Sequence, residues 1–481
     1  MESPHELEHY THHAKGTSSQ GAGLRPSDQD RNDLQVRGVD PAFNRNFRAP
    51  GSIAYTLNSI ISPEYFLTSL AFLLYNGGRA LLTFGLLAHL PGLACLYWSL
   101  GEMMSMAPTA GGQYRFVAEN APKSVAKQLS YVVGWLGVLG WQSFLTAVCF
   151  ATATVIQGLI VLHNPNYAAP AWHGVLLTIM VVTISLGINV LLLRRLPYLE
   201  AAVLVLRFAS IIFAFAALGS LPRASTHAVI TELGTGGWSN PGMNILVGAP
   251  NCYLAISGLD CLWHLSEEVV DASEKLPLVL WRSVGISWIF ALITTVLLAV
   301  YIPDISRILK SPTGYPFIEV FYEAFGYLYA PGARTLTTVL VALFLVTSVT
   351  ATANQVTASS RQLFGFARDG GIPFASIVTA MVHFDETPVP IWSISAVCLI
   401  VSALACIYLA SPTALNAFNS LAGVALAASY MTCIGVMLWS RITNYEMPHS
   451  KRTRWSLDRT TGVVVNVVAL VYTSFNFVFM L

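Results

Sequence analysis

The sequence predicts an all-α integral membrane protein from three observations: charged residues are scarce, apolar residues are abundant, and the apolar residues gather into long runs. Of 481 residues, 54% are hydrophobic and 11% charged, where a soluble domain carries roughly a quarter of its residues as charges. So few charges cannot cover a water-facing surface of that size. The net charge of +1 gives no sign of a nucleic-acid partner. The seven cysteines (Cys95, Cys149, Cys252, Cys261, Cys398, Cys406, Cys433) stand singly in apolar segments without C-x-x-C or metal-site spacing, so no metal is expected.

Residues 1–50 are rich in His, Ser, Arg, Gly and acidic residues and contain no apolar run, so a disordered cytosolic tail without a secretory signal is expected. The transmembrane domain then occupies 51–481. A bilayer core takes roughly 20 apolar residues of helix, and such runs fall near 52–75, 80–104, 129–161, 172–193, 198–219, 245–265, 282–302, 335–358, 390–410, 413–438 and 461–481. That is eleven spans. With the N-terminus inside, twenty Lys and Arg fall on the cytosolic side, and only Arg79, Arg223, Arg307, Lys310 and Arg334 on the other. Positive residues gather on the cytosolic side, so this orientation is expected. Arg207 alone among the basic residues lies within a span.

Two spans are interrupted. The first carries Pro63 beside Glu64, and the sixth carries Pro250, Gly258 and Asp260. Broken helices free backbone groups at membrane depth, which is tolerated where those groups line a cavity or meet a ligand.

Several motifs, in order along the chain, carry a resemblance. They are Met106-Ala-Pro-Thr-Ala-Gly-Gly-Gln-Tyr114, Gly134-Trp135 with Gly140-Trp141-Gln142, Ile156-Gln-Gly-Leu-Ile160, Asn164-Pro165 and Trp172-His173-Gly174. Leu196-Pro197 with Glu200, His264-Leu-Ser-Glu-Glu268, Pro312-Thr-Gly-Tyr-Pro-Phe-Ile-Glu319 and Phe366-Ala-Arg-Asp369 complete the set. From Arg45 to its end the chain resembles the fungal amino-acid/choline permeases of the amino acid–polyamine–organocation superfamily. The resemblance implies a LeuT-like fold in which spans 1–5 and 6–10 form inverted repeats, with the first helix of each unwound and span 11 following. Such families usually have twelve spans, so the twelfth is expected to be absent from this chain.

The resemblance also assigns candidate residues. Counting back from Asn76-Gly77-Gly78, the break of span one falls on Ala54-Tyr55, which with Thr56 becomes substrate-binding. In span six Ser257, Gly258 and Asp260 form the unwound segment; in span eight the spacing of Thr347, Thr350, Asn354, Thr357 and Arg361 makes a polar stripe that lines a pathway or packs helices, with Asn354 the candidate for the cavity. A cationic substrate suits Asp260, with Tyr55 offering a π-face; the alternative is that Asp260 satisfies its own broken backbone. Glu64, Arg207 and His264 are expected to couple or pair charges, since ionisable groups inside a span are costly. For Arg207 the partners considered are Asp260, Glu64 or a substrate carboxylate, with snorkelling as the alternative. Gly111, Gly112, Gln113 and Tyr114, with Glu267 and Glu268, are assigned to a cytosolic gate. The two glutamates are free to titrate or to pair with Lys275 and Arg282, and Glu102 reads as an interfacial charge.

Neither H-e-x-x-H-type metal motifs, G-x-S-x-G nor a P-loop occurs, which argues against an enzyme and against direct ATP drive. The resemblance implies secondary active transport, coupled to a proton gradient and using no cofactor, of amino acids, choline, γ-aminobutyrate or related small amines. Movement of an alkaloid-like secondary metabolite or its precursor, in either direction, is one alternative. A ligand-binding nutrient sensor without turnover is another. The expected partners are a small-molecule substrate and the bilayer, and the expected location is the plasma membrane, with a vacuolar or other internal membrane as the alternative.

Overall fold

The computed structural model describes residues 27–384, 387–409, 414–448 and 453–481. The chain begins with α1 (Asp28–Gln35), where Ser27 accepts from the Asp30 amide and the Asp30 carboxylate takes the Ser27 amide. This reciprocal box satisfies two of the amides that a helix start leaves free.

The expected first span is two helices, α2 (Ala49–Ser59) and α3 (Ser62–Thr68). Pro63 accounts for the gap, because its ring collides with the carbonyl four residues back and it has no amide to donate. Inside the first turn of α3 the same residue costs nothing. The break lies at Ile60–Ile61, with Ile60 at φ −109°, ψ 90° and Ile61 at φ −77°, ψ 58°. The placement at Ala54-Tyr55 is therefore corrected: Ala54, Tyr55 and Thr56 are ordinary helical residues of α2. Both break residues keep negative φ, so no glycine is needed there.

Next come α4 (Leu70–Met106), kinked at Gly78, the short α5 (Gln113–Asn120), α6 (Ala126–His163) and α7 (Ala171–Leu191). A 3₁₀ turn, Leu193–Arg195, leads into α8 (Leu196–Leu218), and α9 (Thr226–Thr231) follows in a loop. The sixth span is also broken, into α10 (Pro241–Gly248), α11 (Pro250–Leu254) and α12 (Cys261–His264), with residues 255–260 in turns. Here the predicted unwinding and the structure agree.

The second half continues with α13 (Ala272–Tyr301), α14 (Ile305–Ile308), α15 (Pro316–Tyr329), α16 (Ala333–Arg368) and α17 (Ala375–Val378). A small antiparallel ribbon, β1 (Val382–Phe384) and β2 (Thr387–Val389), pairs Val382 with Val389 and departs locally from the all-helical expectation. The last helices are α18 (Ile391–Ala405), α19 (Ala414–Thr443) and α20 (Arg459–Met480).

Among the described residues, nine helices are long and apolar enough to cross a bilayer, and the two broken spans bring the number to the expected eleven. The same order of elements occurs twice. A broken helix, a long helix, a short helix and then three more long ones run from α2 to α8, and from α10 to α19 the order recurs with α14, α17 and the β1–β2 ribbon added. In the core α6 packs on α19 and α16, and α4 packs on α13 and α20.

Two faces are defined by the loops. On one, Arg115 donates to the Arg37 carbonyl and Asn46 and Phe47 donate main-chain amides to the Glu268 carbonyl. On the opposite face Arg79 donates to the Ala299 carbonyl and the Ala80 amide to that of Glu232. The tail expected to be disordered is thus ordered from Ser27 on, because its arginines and Asp30 find main-chain partners across the first face; residues 1–26 lie outside the described residues.

Candidate substrate site and gate

A cavity of about 980 Å³ enters from the face opposite the N-terminal segment and ends at the two helix breaks. Its floor is made by Ser59, Ile60 and Ile61 from the first break and Leu254 and Ala255 from the second, with Phe144 and Gln355 beside them. Its volume suits a small solute. Among the described residues no Asp, Glu, Lys, Arg or His side chain lines it; amides such as Asn251 and Gln157 and aromatic rings such as Tyr65 and Tyr315 do.

The freed backbone at each break is satisfied by side chains. Arg207 on α8 donates Nε and Nη2 to the two oxygens of Glu64 at 3.0 Å each; Nη1 reaches the Leu57 carbonyl, and Nη2 also reaches that of Ile60 at 3.4 Å. Of the partners considered, Glu64 is the one found. Thr347 adds a donor to Glu64 at 3.4 Å, and Gln355 donates to the Ser59 carbonyl at 3.1 Å. At the second break Tyr97 donates to the Ile256 carbonyl, and Ser257 to that of Tyr253 at 2.8 Å. Gly258 sits at φ 84°, where a Cβ would lie 3.0 Å from Ile60 and 3.2 Å from Phe144, so the two breaks touch through this glycine.

Beneath the floor lies a layer of buried polar groups. Tyr55 donates to the Asn354 carbonyl at 2.9 Å, and the Asn354 amide reaches the Tyr55 carbonyl at 3.4 Å. Tyr55 and Asn354, expected to face the cavity, are wholly buried and occupied with each other, and Ala54 and Thr56 are buried beside them. Asp260 accepts from Gln113 Nε2 and from the Tyr430 hydroxyl, each at 2.6 Å, and the His264 ring lies 3.7 Å away. Of the alternatives for Asp260, neither its own backbone nor the described cavity is its partner; it ties α5 and α19 to the second break. The structure therefore brings Ser257, Gly258 and Asp260 together at that break, while it separates them from a lining role for Tyr55.

The face bearing the N-terminal segment is closed. Glu267 accepts from the Ala110 amide at 3.0 Å and from two nitrogens of Arg368 at 2.8 and 3.1 Å. Glu268 takes Arg361 Nε at 2.9 Å, and Arg361 also stacks over Phe43 at 5.3 Å. The suggested pairing of these glutamates with Lys275 and Arg282 is corrected: the basic end of α16 reaches them, while Lys275 pairs with Glu274. Glu102 is not interfacial but buried, bound to Arg441 at 2.6 Å and to the Leu457 amide at 3.2 Å.

The predicted gate turn sits at the centre of this closure. Gly112, at φ 56°, faces His264, whose Nδ1 donates to the Ala110 carbonyl at 2.9 Å. Tyr114 meets Asp369 at 3.1 Å, and burial together with that carboxylate pushes its phenol well above the ordinary range. Burial works against the charge of Arg115, yet two bonds to Asp369 and one to Glu119 hold it above its usual value. Gly111 packs its amide edge against Gly365. Over all of this runs the N-terminal segment. Arg45 donates to the Ser266 carbonyl at 2.8 Å and to that of Val269, and burial lowers its pKa despite the nearby Asp30.

Sequence reasoning missed that Tyr430, Asn58, Gln355 and Phe144 meet the helix breaks and that Glu200 is buried beneath them. For Glu200 a signal existed, since it is an ionisable residue inside a span. The others carry no signal until the breaks are brought together.

A helical membrane protein with two touching helix breaks, a solute-sized cavity ending on them and one sealed face has the form of a transporter. The family model described as amino acid permease matches residues 50–481, so the chain belongs to the amino acid permease family; it is a membrane transporter and not an enzyme. It is 28% identical over 384 residues to a protein of Macrophomina phaseolina provisionally assigned as an amino acid/polyamine transporter, covering 79% of this chain and 82% of that one. It is 24% identical over 420 residues to the choline transporter of Saccharomyces cerevisiae, covering 86% and 71%. To amino-acid permease 2 of Neurospora crassa it is 24% identical over 431 residues, covering 88% and 77%.

Proposed function

We propose that this chain is a proton-coupled secondary transporter of amino acids, choline, γ-aminobutyrate or related small amines, acting in the plasma membrane with its N-terminal face in the cytosol. The observation that carries it is the one-sided cavity: about 980 Å³ of space ends on both helix breaks, while the opposite face is closed by arginine–carboxylate pairs. This is one half of an alternating-access cycle. The excess of Lys and Arg on the closed face supports the cytosolic assignment.

The uncharged lining bears on substrate class. A small ammonium group in this cavity meets the faces of Tyr65, Phe144 and Tyr315 rather than a carboxylate, which suits cation–π recognition. A substrate carboxylate meets the side-chain amides of Asn251 and Gln157. The names of the relatives support the same range of solutes.

Uptake of radiolabelled choline, γ-aminobutyrate and basic amino acids into vesicles holding the purified protein, with and without an imposed proton gradient, tests this. Accumulation of at least one of them that collapses with the gradient is expected. Binding without accumulation under any gradient would replace transport with a sensor role.

A further inference from the structure

Among the described residues seven carboxylates are buried: Asp30, Glu64, Glu102, Glu200, Asp260, Glu267 and Glu268. Arg45, Arg207, Arg441, Arg368 and Arg361 lie against Asp30, Glu64, Glu102, Glu267 and Glu268, and His264 lies near Asp260. Glu200 has no basic partner. It is fully buried on α8, and its Oε2 accepts from Asn58 Nδ2 at 2.8 Å and Asn354 Nδ2 at 3.1 Å. Its Oε1 finds no hydrogen-bond partner, nor do the amide oxygens of those same two asparagines. The cluster is short of donors.

An unpaired carboxylate inside a membrane is too costly to keep charged, and a proton on Glu200 both removes the charge and supplies a donor. Its place is also mechanical, because it joins α2, ending at the first break, to α8 and α16. We infer that Glu200 is the group that carries the coupling proton, an inference that rests on the proton-coupled reading above. In the state seen here the carboxyl holds its proton on oxygen. When the N-terminal face opens and water arrives, the O–H bond breaks, the electron pair stays on the carboxylate and the proton passes to water. With solute and proton released, the N-terminal face closes again, the other side opens, and the carboxylate takes up its next proton from there.

The other titratable groups around it are accounted for. Tyr55 of α2 is bonded to Asn354, and Cys261 opens α12. Arg361 of α16 is held by Glu268, and Arg207, two turns along α8, by Glu64. Arg194 and Arg195 before α8 are exposed. The acidic and basic residues of α13 (Glu274, Lys275, Arg282) lie in its first three turns, and those of α15 are Glu319 and Glu323, the latter held by Arg307.

The test compares the full chain with Glu200→Gln and Glu200→Asp in vesicles, using whichever probe solute the wild type accumulates. Glu200→Gln should lose gradient-driven accumulation by roughly tenfold or more, within the usual range for a coupling energy, and its solute exchange should become independent of pH. Its infrared difference spectrum should lack the protonated-carboxyl band that the wild type shows. Equal gradient-driven accumulation and an unchanged pH profile in Glu200→Gln would overturn the inference while leaving proton coupling intact. A wild type indifferent to every proton gradient overturns both. Should Glu200→Gln fail to insert, the Glu200→Asp exchange profile decides, a shifted pH midpoint supporting the assignment and an unmoved one refuting it.

Discussion

Arg207 of α8 meets Glu64 of α3 through two parallel bonds of 3.0 Å, and the same guanidinium reaches back across the first break to the carbonyls of Leu57 and Ile60. One side chain thereby neutralises a buried acid and caps a severed helix. A planar fork can do both at once; an ammonium cannot match that geometry.

Arg207→Ala is expected to abolish transport and to lower stability by about 3–5 kcal/mol, because it strands a buried carboxylate. Glu64→Leu with Arg207→Leu should recover part of the stability but not the transport, since the Leu57 and Ile60 carbonyls stay uncapped. Thermal unfolding in detergent together with vesicle uptake checks this. Normal uptake by the single variant would remove Arg207 from the mechanism.

Asp260→Asn should stop transport at normal membrane levels. The carboxylate holds Gln113 and Tyr430 at 2.6 Å each, and an amide in its place offers one oxygen to two donors. Tyr430→Phe removes a single bond to a charged group, so a milder loss of about 1.5–3 kcal/mol is expected. Both are read by uptake normalised to protein reconstituted, with denaturation midpoints alongside.

Loosening the closed face should expose what lies behind it. Cys433 is buried there, its sulfur 3.6 Å from the Gln113 carbonyl. Arg368→Ala frees Glu267 from its bidentate partner, and faster alkylation of Cys433, identified by mass spectrometry, is the expected result. An unchanged rate would show that the pair does not govern access.

Gly112→Ala should destabilise the gate by about 1–3 kcal/mol, the usual cost of a strained backbone position. The residue is at φ 56°, and an added Cβ would fall 2.9 Å from the His264 ring. A lower melting temperature with faster Cys433 alkylation is expected; a variant with wild-type behaviour in both would show that the turn adapts freely.

The span map and the break in span six were legible because apolar run length and the Pro250, Gly258 and Asp260 cluster report directly on local backbone. The pairing of Arg207 was legible too, since an unpaired cation in a span is prohibitive, though its partner was one of several. The break in span one was legible at Pro63, but the count from Asn76-Gly77-Gly78 misplaced it at Ala54-Tyr55. Tyr55 and Asn354 looked like cavity residues on residue type alone, yet they bond each other below the floor. The partners of Glu267 and Glu268 sit about a hundred residues away on α16, and no local pattern encodes such a distance.

The N-terminal segment has a consequence for the order in which the molecule is completed. Arg45 finds its carbonyls 221 and 224 residues further along the chain, and Gln29 finds Ser273 at a separation of 244. During synthesis Arg37 finds its partners once the second span and α5 have followed, whereas Arg45 and Gln29 wait for the sixth span, and Phe43 longer still, for Arg361. Contacts so distant in sequence close late, so a segment that is made before the first span is held at Gln29 and Arg45 only after the sixth.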